Sequence, residues 1–240
     1  MNTINIEELY TLARQKSIDG RTALAETVTD LFSSESKILT ARERAIMFDI
    51  LHSIIRDVEM SVRKRISAHV AELNDAPSGL ITLLANDDIE VAYPVLVKTG
   101  IIKDGELVEV IRNRTLEHQL AIAIRHDISE FVSDALVKHG NGAVVRTLLD
   151  NKNAKISRIT MEVLVEQSRR INTFCEPVLR RRELGSDLAK RMFLWVSAAL
   201  RQTIVNKFDL DQETVDDLLE KAVYEEIETM ETEGRTPEKR

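Results

Sequence analysis

Six arginines, five of them at or near the ends of predicted helices and one inside a helix, have the side-chain type and placement best suited to ligand binding. Their guanidinium groups pair with phosphate or carboxylate through two parallel hydrogen bonds. If the second helices of stacked pairs line a concave surface, these side chains converge on it. The alternative is structural, because a cation at a helix C-terminus offsets the helix dipole by about 0.3–1 kcal/mol. The candidate binding residues are Arg112, Arg114, Arg146, Arg180, Arg181 and Arg182.

The sequence offers little for catalysis or metal binding. The five histidines include no two at the helical spacings of three or four that a metal site on a helix requires, and the nearest approach is Asp49-x-x-His52. The single cysteine, Cys175, is followed by Glu176, whose charge disfavours a thiolate. We therefore predict no catalytic residue, no metal and no cofactor, and a protein that is not an enzyme.

Three asparagines follow similar apolar pairs at the ends of predicted helices. They are Asn86, Asn113 and Asn151. A row of amides could hold an extended peptide backbone, because each amide both donates and accepts hydrogen bonds. Helix C-capping is the alternative, and we favour it because each asparagine ends its helix.

Composition indicates an all-α protein. The 240 residues include only 8 glycines and 4 prolines, fewer than turn-rich β architectures use. Apolar residues recur at helical spacing along most of the chain, and no strand-like alternation of useful length is present. We predict no signal peptide, no membrane segment and no disulfide, and hence a cytoplasmic protein.

Charge is unevenly distributed in the C-terminal half. Residues 152–205 carry 11 basic and 5 acidic side chains, whereas residues 206–240 carry 5 and 12. From this and the helical pattern we predict an N-terminal helical cap at 1–56, a repeat core at 57–205, and an acidic C-terminal helix with a disordered tail at 206–240. In the cap, Ile6, Leu9, Tyr10 and Ala13 have the spacing of one helix face, and Thr40 and Glu43 have that of a capping box. The C-terminal helix is predicted over about Gln212 to Thr229, with Val215, Leu218 and Ala222 on its apolar face, and the tail beyond Met230.

Two stretches of the core resemble each other at an offset of 40 residues. They read VAYPVLVKTG over 91–100 and FVSDALVKHG over 131–140. Each ends in glycine, which tolerates the left-handed backbone that closes many helices. A further helix, Leu116 to Arg125, is interpreted as an extra element between pairs. Because such helix pairs cannot bury their apolar faces alone, they predict an α-solenoid.

The segment Asp88-Ile-Glu-Val-Ala-Tyr-Pro-Val-Leu, with Pro94 inside a first helix, resembles the HEAT-type pattern. The run from Val91 through QLAIAIR (119–125) and VSDALV (132–137) to LLDNKNA (148–154) is similar to a bacterial family catalogued as a domain of unknown function. The resemblance covers roughly residues 55–205. It implies a HEAT-like α-solenoid and carries no known activity or catalytic residue.

The sequence leads to a non-enzymatic adaptor that binds another protein on the concave face of the stack. The alternative is a nucleic-acid-binding protein that uses the arginines, provided that they form a continuous concave stripe. A third hypothesis is a HEAT-like DNA-repair enzyme, which requires an aromatic residue and a carboxylate facing each other in the groove. Trp195 is the only tryptophan available for that role.

Overall fold

The computed structural model describes residues 17–35 and 40–233, and within these ranges the protein is all-helical with no strand. Short 3₁₀ turns occupy Ile55–Asp57 and Asn172–Phe174. The α-helices are α1 Ile18–Glu35, α2 Ala41–Ile54, α3 Met60–Val70, α4 Ser78–Ala85, α5 Ile89–Lys98, α6 Asp104–Asn113, α7 Leu116–Ala123, α8 Glu130–His139, α9 Gly142–Asp150, α10 Arg158–Ser168, α11 Cys175–Arg180, α12 Ser186–Met192, α13 Ala198–Phe208 and α14 Gln212–Glu233.

Several helices begin at side chains that satisfy free backbone N–H groups. The predicted capping box at α2 is confirmed: the Glu43 N–H donates to Thr40 Oγ1, and the Thr40 N–H donates to Glu43 Oε2 at 2.8 Å. The hydrogen bonds from Thr40 lower the pKa of the Glu43 carboxyl. Asn141 caps α9 in a similar way, because its Oδ1 accepts from the N–H groups of Ala143 and Val144.

The helices contact their second neighbours along the chain, which sorts them into two series. In the first series, α1, α3, α5, α7, α9 and α11 each pack on the next member. In the second series α2 packs on α4, and α6, α8, α10 and α12 follow one another in contact. A hydrogen bond of 2.6 Å from Thr82 Oγ1 to Glu106 Oε1 joins α4 to α6. Many helices adjacent in sequence, such as α4 with α5 and α8 with α9, pack across the two series.

The core consists of two buried apolar clusters that meet at α9. One face of α9 gives Val144 and Leu148 to a cluster that extends back to α1. The adjoining face gives Val145 and Leu149 to a cluster that continues to α13. The first cluster runs without interruption across the predicted cap boundary after residue 56.

The packing differs from the predicted pairing of helices. Residues 91–100 belong to α5 in the first series, whereas residues 131–140 belong to α8 in the second. The 40-residue similarity therefore matches helices that occupy different positions. The reason is α7, which packs on α5 and α9 as a full member of the first series and is not an extra element.

We predicted that glycine closes helices through a left-handed backbone, and for the described glycines this prediction is wrong. No described glycine has a positive φ. A Cβ on Gly140 would lie 2.5 Å from the Leu136 carbonyl oxygen and 2.7 Å from Val144, so this position requires glycine for close approach. The left-handed cap in the described chain is Asp209, with φ 48° at the end of α13.

The C-terminal helix is longer than predicted. It continues to Glu233, so residues 230–233 are helical and not part of a tail. Of its predicted apolar face, Ala222 is buried while Val215 and Leu218 pack on the second cluster. The predicted helix containing Ile6 and Ala13, and residues 234–240 of the predicted tail, lie outside the described residues.

Candidate interaction surface

The six predicted arginines do not lie on one series of helices. Arg112 lies on α6 and Arg114 directly follows it, in the second series, whereas Arg146 on α9 and Arg180 on α11 belong to the first. These positions therefore do not form the continuous stripe on which the nucleic-acid hypothesis depends. The cause is again α7, whose insertion in the first series shifts every later pair by one helix.

Most of the predicted arginines already have partners within the chain. Arg112 lies 3.5 Å from Glu109, and Arg114 Nε donates to Asn86 Oδ1 at 3.1 Å. Arg146 pairs with Asp150 at 2.9 Å and donates to the Thr173 carbonyl. Arg180 and Arg182 are the most exposed, at 71% and 73%, and share a cleft of about 290 Å³ with Asp150 and Lys152.

Arg181 is a structural residue and does not fit its predicted role in binding. Its side chain is 4% exposed and pairs with Glu183 at 2.6 Å. Nη1 donates to the Asn151 carbonyl at 2.6 Å, and Nη2 donates to the Ala154 carbonyl. The guanidinium thus joins the end of α11 to the end of α9, and the ligand-binding fork is fully occupied.

Arg181 is one of four residues that repeat this connection along the first series. Three lie just after a first-series helix, and the fourth lies near the end of α13; each donates to two carbonyls at or just after the end of the helix two before its own, 26 to 30 residues earlier. Carbonyls at a helix C-terminus have no partner within their helix, so these bonds satisfy them. We call this set the carbonyl ladder; it consists of Arg125, Asn151, Arg181 and Lys207.

The charged members of the carbonyl ladder differ in exposure: Arg125 and Arg181 are buried, whereas Lys207 is exposed. Arg125 donates to the carbonyls of Leu96 and Thr99, the latter at 2.8 Å, and desolvation lowers its pKa. Desolvation also lowers the pKa of Lys207, whose ammonium donates to the carbonyls of Leu179 and Arg181. Sequence reasoning missed Arg125 and Lys207. The signal that could have found them is a polar residue ending alternate helices at intervals of 26 to 30.

The three asparagines do not form a row for peptide binding. Asn86 is the C-cap of α4, and its amide donates to the Thr82 carbonyl, which confirms the capping interpretation at this position. Asn113 donates to Glu109 on its own helix. Asn151 reaches the neighbouring helix α7, donating to the carbonyls of Ala123 and Arg125 at 2.9 and 2.7 Å.

Large apolar side chains are exposed on α8 and α10 in the second series. Phe131 is 57% exposed, Ile159 75% and Val163 44%. The hydroxyls of Ser157 and Thr160, which flank Ile159, donate to Asp134, one turn after Phe131. This bridge joins the N-terminal halves of the two helices and holds the three apolar residues on adjacent elements. We call Phe131, Ile159 and Val163 the apolar surface.

Trp195 lines a cleft of about 630 Å³ between the end of α10 and α14. Its Nε1 donates to Ser168 Oγ at 3.2 Å, and the guanidinium of Arg169 lies 5.9 Å from its ring centroid. Glu225 lines the same cleft, and its carboxylate lies 3.8 Å from the Arg169 guanidinium. The same arginine is therefore close to both the aromatic ring and the carboxylate. This arrangement lacks the facing pair that the DNA-repair hypothesis required.

The other candidate groups are placed without a reactive arrangement. Burial raises the pKa of the Cys175 thiol, whose Sγ donates to the Ser168 carbonyl at 3.4 Å. Among residues 17–35 and 40–233, no group of three His, Cys, Asp or Glu side chains could hold a metal ion. No helix in this part of the chain is long and apolar enough to cross a membrane.

Comparison with known proteins identifies a family for the greater part of the chain. Curated proteins and solved structures yield no match. Residues 91–238 match the model of a family described as "Uncharacterised protein conserved in bacteria (DUF2336)". The match begins inside α5 and ends beyond α14, further along the chain than the resemblance over 55–205 suggested. Because it covers more than half of the 240 residues, the protein belongs to this bacterial family.

Proposed function

We propose that the protein is a HEAT-like α-solenoid of the bacterial cytoplasm that binds another protein and does not catalyse a reaction. Stacked helix pairs bury their apolar faces against neighbours and offer a long rigid surface to a partner. The alternate packing of the helices and the regular interval of the carbonyl ladder support this interpretation.

The apolar surface is the observation that carries the proposal. Isolated apolar residues are common on protein surfaces, but three large ones on two contacting helices resemble the centre of a protein interface. Covering them removes apolar area from water at about 25 cal/mol per Å², which favours association with a partner of matching shape. We propose that the partner binds to α8 and α10.

The placement of the arginines favours a protein partner over nucleic acid. A phosphate backbone is bound by a track of unpaired cations on one surface. Here the predicted arginines divide between the two series, and Arg181 is buried beneath the surface. Four of the six, Arg112, Arg146, Arg180 and Arg182, each lie beside a carboxylate, so these positions do not supply the track of unpaired cations that the nucleic-acid hypothesis needs.

The test is affinity capture from bacterial lysate with the full chain, after nuclease treatment. The variant Phe131→Ser with Ile159→Ser removes most of the apolar surface. Tyr93→Ser is the matched control, because Tyr93 is 48% exposed on α5 in the first series. We expect a partner that the control captures and the double variant loses, with equal melting temperatures. A partner retained by the double variant, or material recovered only without nuclease, would contradict the proposal.

A further inference from the structure

We propose that a cleft between α2, α4 and the end of α6 binds the phosphate group of a small phosphorylated molecule. The cleft has a volume of about 590 Å³, within the range of pockets that hold small ligands. It lies away from the apolar surface and involves different helices, so this inference is independent of the proposed function.

Basic side chains from three separate parts of the chain line the cleft. His52 lies on α2 and Arg56 in the 3₁₀ turn that follows, while Arg114 lies directly after α6. All three are exposed to solvent. Arg56 forms no hydrogen bond or ion pair with any described residue. Its guanidinium is therefore available to a ligand.

The second arginine, Arg114, is held in a fixed orientation, but no carboxylate pairs with its charge. Arg114 Nε donates to Asn86 Oδ1 at 3.1 Å, which fixes the plane of the guanidinium. No described residue bonds its two terminal nitrogens. A guanidinium held by Nε with both terminal nitrogens free is prepared to bind two oxygens of one anion.

The carboxylates near the cleft are already occupied. Asp87 accepts from Arg63 Nε at 2.7 Å and Nη2 at 3.0 Å, so this pair adds no net charge. Glu106 accepts from two neutral donors, the Thr82 hydroxyl and the Lys103 N–H, and does not line the cleft. Among the residues that line it, Arg56 and Arg114 therefore leave an excess of two positive charges, which suits a dianion.

Backbone groups at the start of α4 add further donors. This helix begins after Pro77 with no side-chain cap. The N–H groups of Leu80 and Ile81 donate to the Pro77 carbonyl, which leaves those of Ser78 and Gly79 as the available donors. Gly79 lies in this first turn against His52: a Cβ there would be 3.8 Å from His52 Nε2. The missing side chain lets an anion approach the backbone.

The chemistry of the lining favours a phosphate monoester over other anions. A tetrahedral dianion can accept hydrogen bonds from Arg56, Arg114 and His52 at once, whereas a carboxylate has only two oxygens. No phenylalanine, tyrosine or tryptophan lines the cleft, so recognition would depend on the phosphate and not on stacking of a base.

The test is calorimetric titration of the full chain with sodium phosphate, glycerol 3-phosphate and, as the carboxylate comparison, sodium acetate. We expect both phosphates to bind and acetate to bind at least about tenfold more weakly. Arg56→Ala with Arg114→Ala should weaken phosphate binding at least about tenfold. The matched control Arg112→Ala removes an exposed arginine outside the cleft and should change the affinity less than twofold.

An NMR readout locates the site in the unmodified protein. Phosphate should shift the backbone amide signal of Gly79 and leave that of Gly142, at the start of α9, unchanged. No binding of either phosphate, equal binding of acetate, or full affinity in the double variant would each overturn the inference. Melting temperatures of the variants verify that loss of binding does not reflect unfolding.

Discussion

The two series of helices differ in the bonds that join their later members. From α5 onward, the carbonyl ladder joins helix ends along the first series, and its members Arg125 and Arg181 are buried. Between α3 and α5 the first series also has an exposed ion pair, Lys64 with Glu90. Along the second series, neighbouring helices are linked by pairs between side chains, such as Arg158 with Asp187 and Arg191 with Glu166. Both of these ion pairs are about half-exposed.

This difference separates structural from available side chains. A buried cation on two carbonyls leaves unsatisfied groups if it is removed, whereas an exposed ion pair contributes little to stability. The apolar surface lies on the second series. Substitutions that break the buried part of the carbonyl ladder should cost more stability than those that break the exposed ion pairs of the second series.

The largest effect is expected from Arg181→Ala. The substitution removes the side-chain donors to the carbonyls of Asn151 and Ala154 and the nearest cation of Glu183, for a loss of about 3 kcal/mol in the free energy of unfolding. Urea denaturation measures it. The neighbouring Arg180→Ala, at a residue 71% exposed, should change stability by less than about 0.5 kcal/mol. Equal effects of the two substitutions would contradict the claim that the carbonyl ladder stabilises the fold.

An intermediate effect is expected from Asn151→Ala. Its amide donates to two carbonyls of the α7 terminus, and their loss should cost about 1–2 kcal/mol. Asn113→Ala is the control, because Asn113 is exposed and bonds only to Glu109 on its own helix. The comparison fails if both asparagines give the same change in urea midpoint.

The smallest effect is expected from the second series, through Asp187→Asn. The hydrogen bond from Arg158 lowers the pKa of the Asp187 carboxyl, so its contribution is present above the unfolded value of 3.8 and is lost as pH falls below it. The variant should be slightly less stable than the wild type at pH 7 and equal to it at low pH. Thermal unfolding at both pH values measures the difference. A loss at pH 7 as large as that of Arg181→Ala would reverse the ranking of the two series.

Sequence reasoning predicted features that depend on local chemistry. The all-α class, the capping box at Thr40 and the helix containing Pro94 follow from spacing and side-chain type within a few residues. The division of the helices into two series does not follow from such local features. VAYPVLVKTG and FVSDALVKHG have similar apolar patterns because each helix buries one face, and that pattern is the same in either series.

The wrong prediction for Arg181 shows a second limit of reasoning from local patterns. Arg180, Arg181 and Arg182 are identical in type and adjacent in sequence, yet only Arg181 points to the end of a helix about 30 residues earlier. Its direction follows from the extended backbone that terminates α11, with ψ 142° at Arg181. The apolar surface was also missed, because exposure of Phe131 and Ile159 depends on how neighbouring helices pack.

The central claim is that a protein partner binds the apolar surface of the second series. Its most direct test replaces Phe131 with a photoreactive phenylalanine analogue and irradiates cells that produce the full chain. The same analogue in place of Tyr93, on the first series, is the matched comparison. The account predicts a discrete protein crosslink from position 131 and none from position 93. Crosslinks from position 93 alone, or from neither position, would contradict it.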